Sequence, residues 1–228
     1  MSKYYDVGTT LPIFKEERND YEKDFIKIGN YFAYTDYQSI LKNPVIIVSK
    51  EMGYADREQY EELIIQWAKD RKIIPNATLH AQFLKFIEES GEIIADIREG
   101  NPVEDSIGDT AVTLILLYQL LQKDSKEPRY LYNSQKIFDG EHNPVLLDER
   151  AFFTSLSFYS GKLAGAIAKN YTKKAIIAVE MLYELLRRFA VETTISGCLG
   201  TSMKIAYEEI KNRKGTLTKE GVFIKEGD

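Results

Sequence analysis

Carboxylates on two consecutive predicted helices carry the strongest chemical signal in this chain. Glu88, Glu89 and Glu92 form a tight cluster, and Asp109 follows beyond a Gly100-Asn101-Pro102 break. From Ile107 to Leu121, Asp109 is the only charged residue. An unpaired carboxylate in apolar surroundings costs several kcal/mol or takes up a proton, so it needs a cation. The preceding helix offers mostly more carboxylates, and like charges converge to advantage when a divalent metal lies between them. Magnesium suits such a site, because it takes oxygen ligands at ~2.1 Å and leaves positions for water and phosphate oxygens. Asp105 lies one turn before Asp109 and can face the same way. The competing reading is a solvated acidic helix face, with Lys85 as a local ion-pair partner. A di-iron bundle needs Glu-x-x-His pairs, which His80 and His142 do not complete, and a zinc site needs more Cys and His than the chain has.

The elements that must position these acids read as helices. Asp56 caps a first helix carrying Tyr60, Leu63, Ile64 and Trp67, which ends before Ile74-Pro75-Asn76. A second helix is predicted over 79–98 and stops at Gly100. On its wheel Phe83, Phe86, Ile87, Ile94 and Ile97 share one face, and Lys85, Glu88, Glu89 and Glu92 lie opposite. Asn101 is expected to cap the third helix, with Pro102 as its first residue and Glu104 as the reciprocal capping acid. This helix runs to about Lys123, and the short connection makes the two antiparallel neighbours. A polar connection with Pro128, Gly140 and Pro144 spans 124–150. Further helices are predicted over 152–169, 173–189 and 196–214. Gly215 ends the last, and Gly221-Val222-Phe223-Ile224 suits a short extended tail. Residues 1–55 are rich in tyrosine and charge, and Val45-Ile46-Ile47-Val48 fits a strand or a helix equally. The expected fold class is all-α, an antiparallel helical bundle.

Bulk properties bound the function. The 228 residues and 44% hydrophobic content suffice for one sizeable core. A net charge of −5 argues against stable nucleic-acid binding, though a local basic cluster can still hold a phosphorylated ligand. The single cysteine, Cys198, precludes an internal disulfide and reads as a small core residue rather than a nucleophile. The N-terminus lacks an apolar signal core, and the longest apolar stretch, 110–121, is too short to span a bilayer. The expectation is a soluble, cytoplasmic protein without membrane partners.

The run Lys85-Phe86-Ile87-Glu88-Glu89-Ser90-Gly91-Glu92, followed by Ile107-Gly108-Asp109, resembles the MazG-type nucleotide pyrophosphohydrolases. These belong to the all-α NTP pyrophosphatase superfamily, with the dimeric dUTPases. The resemblance begins near Trp67-Ala68-Lys69-Asp70-Arg71. It resumes at Ala206-Tyr207-Glu208-Glu209-Ile210-Lys211-Asn212-Arg213-Lys214-Gly215 and the Gly221-Val222-Phe223-Ile224-Lys225 ending, which is similar to small phage MazG-like proteins. It implies a bundle of that type over 56–228, after an N-terminal extension over 1–55. Within it 56–123 hold the metal-site helices, 124–195 form an insertion, and 196–228 supply a basic helix and tail.

The resemblance implies hydrolysis of a (d)NTP to (d)NMP and pyrophosphate, with Mg2+, or Mn2+, as cofactor. It makes Glu89, Glu92 and Asp109 metal ligands, with Glu88 supporting them or orienting the attacking water. The family's acid three residues before the aspartate is here Ser106, so Asp105 is the expected substitute and the number of metals stays open. Phosphate contacts are expected from Lys211, Arg213 and Lys214, cations that also complement a helix C-terminus, and from Lys85. Trp67 suits base stacking or the core. A dUTP-specific enzyme and a non-catalytic interaction protein on the same fold are the alternatives. A phage-encoded enzyme would act in the host cytoplasm.

The segment 156–188 reads as a degenerate repeat of the first helix pair. Phe86–Glu92 aligns with Leu156–Lys162, and Leu116–Leu121 with Met181–Leu186. Glu88, Glu89 and Glu92 then correspond to Phe158, Tyr159 and Lys162, and Asp109 to about Lys174. The acids are lost, so the second copy is expected to hold no metal and to pack on the first as a built-in partner. A homo-oligomer and a pseudo-dimer within one chain are both compatible with this pattern.

Overall fold

The computed structural model describes residues 2–6, 14–16, 24–28, 31–35, 50–125, 129–133, 149–194 and 197–227, with side chains from Arg57 onward. The described residues are mostly helical. Seven helices follow in order: α1 (Lys50–Asp70), α2 (Ile73–Asn76), α3 (Leu79–Glu99), α4 (Glu104–Leu121), α5 (Glu149–Ala168), α6 (Thr172–Thr193) and α7 (Leu199–Ile210). The mostly helical make-up agrees with the all-α expectation, and two small sheets accompany the helices. Four short strands, β1 (Ser2–Asp6), β2 (Phe14–Glu16), β3 (Asp24–Ile28) and β4 (Tyr31–Thr35), form a sheet of order β2-β1-β3-β4 in which β1 and β3 run parallel. After α7, β5 (Gly215–Leu217) and β6 (Phe223–Lys225) pair as an antiparallel hairpin. The apolar run Val45-Ile46-Ile47-Val48, His142 and the loop residues Pro128, Gly140 and Pro144 lie outside the described residues.

Helix α4 is the centre of the bundle. Every residue from Ser106 to Leu121 is buried except Asp109, so this helix is enclosed on nearly every side, and its residues are mostly apolar as that position requires. It packs most extensively against α7 and α3, then against α6, while α5 and α6 pair with each other. Ile107, Leu114, Ile115 and Leu117 of α4 share one core with Phe86 and Ile93 of α3 and Phe189 of α6. The second helix pair therefore lies directly against the first. The Tyr118 hydroxyl of α4 donates to Glu180 of α6 at 3.1 Å, one polar tie across that contact.

Two helix starts show how local chemistry sets these elements. Thr78 caps α3, its Oγ1 accepting from the Ala81 amide at 3.1 Å. Gly100 ends α3 with φ 73°, a left-handed position that glycine adopts without penalty. The expected Asn101 cap of α4 is not formed. Val103 takes the cap position without a side-chain bond, and the Asn101 amide instead donates to Glu99 at 3.3 Å. Asn101 sits too far back along the chain once the helix starts at Glu104, with Glu104 and Asp105 in its first turn.

The interior stripe of α3 also differs from the expected wheel. Its buried residues are Gln82, Phe86, Glu89, Ser90 and Ile93, while Ile87 and Ile94 are exposed. Phe86, Ser90 and Ile93 follow helical spacing toward α4, and Glu89 falls on that same side rather than opposite it.

Candidate metal centre

Three carboxylates converge where α4 meets α7. Asp105 and Asp109 of α4 and Glu209 of α7 each place an oxygen within 4.8 Å of the others. Asp105 and Asp109 are one turn apart, so they project from one stripe of α4. Gly108 occupies the same stripe, and it lets α7 come close. A Cβ there would stand 2.2 Å from the Ser202 carbonyl oxygen and 2.9 Å from the Ala206 Cβ. Ala206 is one turn before Glu209, so this close approach is what brings Glu209 to the α4 acids.

Helix α3 adds to the charge. Burial raises Asp109 from 3.8 to about 7, with Glu89, Asp105 and Glu209 pushing the same way and Arg213 opposing. Burial also raises Asp105, followed by Glu209, Asp96 and Glu89, again against Arg213. Glu92 is raised by burial and then by Glu89, with Lys85 opposing. The site is therefore a continuous acidic field from three helices with two cations at its margins. Lys85 bonds Glu89 at 2.6 Å and Glu88 at 3.1 Å. Burial lowers Lys85, but the Glu89 bond and charge, then those of Glu88, outweigh it and raise the ammonium. Arg213 pairs with Glu209 at 3.0 Å.

Of the residues expected from sequence, Asp105 and Asp109 meet in one cluster, Glu89 borders it, and Glu92 lies beside Glu89. Glu88 is exposed beside Lys85. Ser106 is buried and its hydroxyl donates to the Val103 carbonyl, so the position of the missing family acid faces the core while Asp105 faces the cluster. Lys211 pairs with Glu208, and Lys214 is exposed. Trp67 lies in the core, 6.2 Å edge-on from Phe223, with the Arg71 guanidinium 5.1 Å over its ring.

Two acids were missed in the sequence reading, Asp96 and Glu209. Asp96 lies one turn beyond Glu92, and Glu209 stands in the C-terminal run Tyr207-Glu208-Glu209. From sequence that run, continued to Gly215, supports the family resemblance and offers Lys211, Arg213 and Lys214 as phosphate contacts, with no role for Glu209. Arg71 was also missed as a positioning group. Its Nε and Nη2 donate to the carbonyls of Arg213 at 2.7 Å and Lys211 at 2.6 Å, holding the end of α7.

The donor set is all oxygen, with no histidine or thiol in the cluster, which fits a hard divalent cation such as magnesium or manganese. Asp105, Asp109 and Glu209 would hold it, with Glu89 close enough to raise Asp105 and Asp109 alike.

Comparison with known proteins yields one partial relative. The chain is 37% identical over 73 residues to an uncharacterized 18.2 kDa protein in the rep-hol intergenic region of Haemophilus phage HP1. That match covers 31% of this chain and 45% of the relative, so the chain spans less than half the length of the protein it matches. No family model matches the sequence, and no solved structure matches it. No helix among the described residues is long and apolar enough to cross a membrane.

Proposed function

We propose that this chain is a magnesium-dependent nucleoside triphosphate pyrophosphohydrolase of the MazG type, with its centre at the α3–α4–α7 junction. The observation that carries the reading is the convergence of Asp105, Asp109 and Glu209 within 4.8 Å, under the added charge of Glu89. Such a cluster is electrostatically unfavourable in the protein alone and becomes favourable around a divalent cation. The Ser106 departure is compatible with activity, because Glu209 and Asp105 supply the carboxylates that the position at Ser106 does not.

The reaction is (d)NTP plus water to (d)NMP plus pyrophosphate. A bound divalent ion supplies charge neutralisation on the phosphates and lowers the cost of forming a nucleophilic oxygen from water. The chain's own residues do the rest. Glu88 and Glu92 are exposed on α3 beside Glu89, and in this reading one of them orients a water and accepts its proton. The water oxygen attacks a phosphorus of the α–β linkage, the bond to the bridging oxygen breaks, and pyrophosphate leaves. Arg213, held through its carbonyl by Arg71, and Lys214 beyond it can meet the phosphates, as can Lys211 and Lys85 once released from their glutamates. Trp67, fixed in the core, is a poor candidate for stacking on a base.

The test is pyrophosphate release from each common (d)NTP, dUTP included, with and without magnesium. Release that requires magnesium and is lost by at least about a hundredfold in Glu92→Gln or Asp109→Asn, with an unchanged circular dichroism spectrum, supports the reading. Turnover of dUTP alone selects the dUTP-specific form. No release from any nucleotide leaves a non-catalytic interaction protein as the better account.

A further inference from the structure

The second helix pair carries a cleft of opposite charge to the metal centre. It lies between α5 and the start of α6, has a volume of about 510 Å³, and is lined in part by Phe158, Lys162, Lys169, Tyr171, Lys174 and Ile177. From Ala151 to Val179 the chain has four lysines and no acidic residue, within a protein of net charge −5. Among the described residues none of Lys162, Lys169 and Lys174 pairs with a carboxylate, and two lie over aromatic rings instead. Lys162 Nζ is 5.1 Å from the Phe158 ring centre, and Lys174 Nζ is 5.0 Å from that of Tyr171. Both rings are more than half exposed.

The placement of Lys173 and Lys174 runs against helix electrostatics. They stand in the first turn of α6, which contains no acid and whose cap position, Tyr171, makes no side-chain bond. Cations there oppose the positive end of the helix dipole, and an anion would relieve both. The aromatic faces add an apolar, planar-ring surface beside the cations. Inorganic phosphate has no use for such a surface, but a nucleobase does. The volume also falls in the range of small-molecule sites.

We propose that the α5–α6 cleft binds a nucleotide without a metal ion, its phosphates on Lys162, Lys169 and Lys174 and its base against Phe158 or Tyr171. In the repeat alignment Phe158, Lys162 and Lys174 stand at the positions of Glu88, Glu92 and about Asp109 in the first pair. The second pair would thus bind the phosphates directly where the first would bind them through a cation. The proposal does not depend on the metal centre being catalytic, and its test excludes metal.

The experiment is calorimetric titration of the full chain carrying Asp109→Asn, in EDTA, with ATP and separately with inorganic tripolyphosphate. The expected result is saturable ATP binding that tripolyphosphate matches at least about fivefold less tightly. Binding should weaken by at least about tenfold in Lys162→Gln/Lys174→Gln and about fivefold or more in Phe158→Ala. Lys174→Gln relieves the α6 first turn and Lys162 is exposed on α5, so the melting temperature of the double variant should not fall, which separates lost binding from lost fold. Absence of saturable binding, equal affinity for tripolyphosphate, or indifference to the lysine pair would each overturn the proposal. So would a dimer, seen by sedimentation, that Lys162→Gln/Lys174→Gln disperses, because the cleft would then be filled by a second copy of the chain.

Discussion

Replacing Asp109 with asparagine should make the metal-free protein more stable while removing its response to magnesium. Burial and the charges of Glu89, Asp105 and Glu209 raise Asp109 from 3.8 to about 7. A carboxyl raised on folding holds its proton more tightly in the native state than in the unfolded chain. Its contribution is therefore fully favourable below about pH 4 and is lost as the pH rises through about 7. Each pH unit in that window changes stability by ~1.4 kcal/mol, so the loss between about pH 5 and pH 7 is at most ~3 kcal/mol. The side chain is only partly buried, and solvent relaxation reduces the figure to about 1–2 kcal/mol. Asparagine keeps the shape and does not titrate. In urea denaturation with EDTA, Asp109→Asn should exceed the parent chain by that amount near pH 8, and the gap should shrink toward pH 4. With millimolar magnesium the order should reverse, because ligand binding stabilises only the protein that binds it. Equal stability of the two chains near pH 8 in EDTA, or parallel pH curves, would refute the account of Asp109 as a carboxylate strained by its neighbours.

Glu209→Gln should weaken magnesium binding by about tenfold or more while also lowering the Asp109 and Asp105 values toward the ordinary range, which carboxyl-resolved NMR titration reads directly. Gly108→Ala should cost about 1–3 kcal/mol in denaturation and weaken magnesium binding, since its Cβ would collide with the Ser202 carbonyl and push α7 away. Arg71→Ala should remove two hydrogen bonds from the end of α7 and raise KM for the nucleotide more than it lowers kcat, because Arg213 loses its anchor.

The acids of α3 and α4 were legible because their evidence is local. A lone aspartate in an apolar helix, a glutamate cluster one helix earlier and Gly100 between them can be read in a single window. Glu209 was not legible, because what brings it to the cluster is the approach of α7 to Gly108, a contact between segments far apart in the chain. The stripe of α3 failed for a related reason. Ile87 and Ile94 are apolar letters, yet the tertiary demand of α4 fixed the interior stripe at Phe86, Ser90 and Ile93 and left them outside. The cap at Asn101 failed because a start signal marks a neighbourhood rather than a residue. The N-terminal strands mix tyrosine with charge, and their short lengths gave no alternation long enough to read.

The arrangement around α4 explains how the chain can sustain so unfavourable a cluster. Helix α7 is 12 residues long, too short to be stable alone, so its position is set by what it packs on. Leu199, Met203, Ala206 and Ile210 bury one side of it, and Arg71 holds its last carbonyls. The hairpin that follows is pinned in turn to the start of α3. At Gly221, with φ 81°, a Cβ would stand 2.6 Å from the Thr78 amide nitrogen, and Thr78 Oγ1 donates to the Glu220 carbonyl at 3.2 Å. Apolar burial of about 1.5–3 kcal/mol per large side chain offsets the repulsion among Asp105, Asp109 and Glu209. The carboxylates are thus held together mainly by uncharged packing, with Arg71 and Arg213 the cations at the end of α7. Glycine at position 108 is as much a determinant of the site as the acids on either side of it.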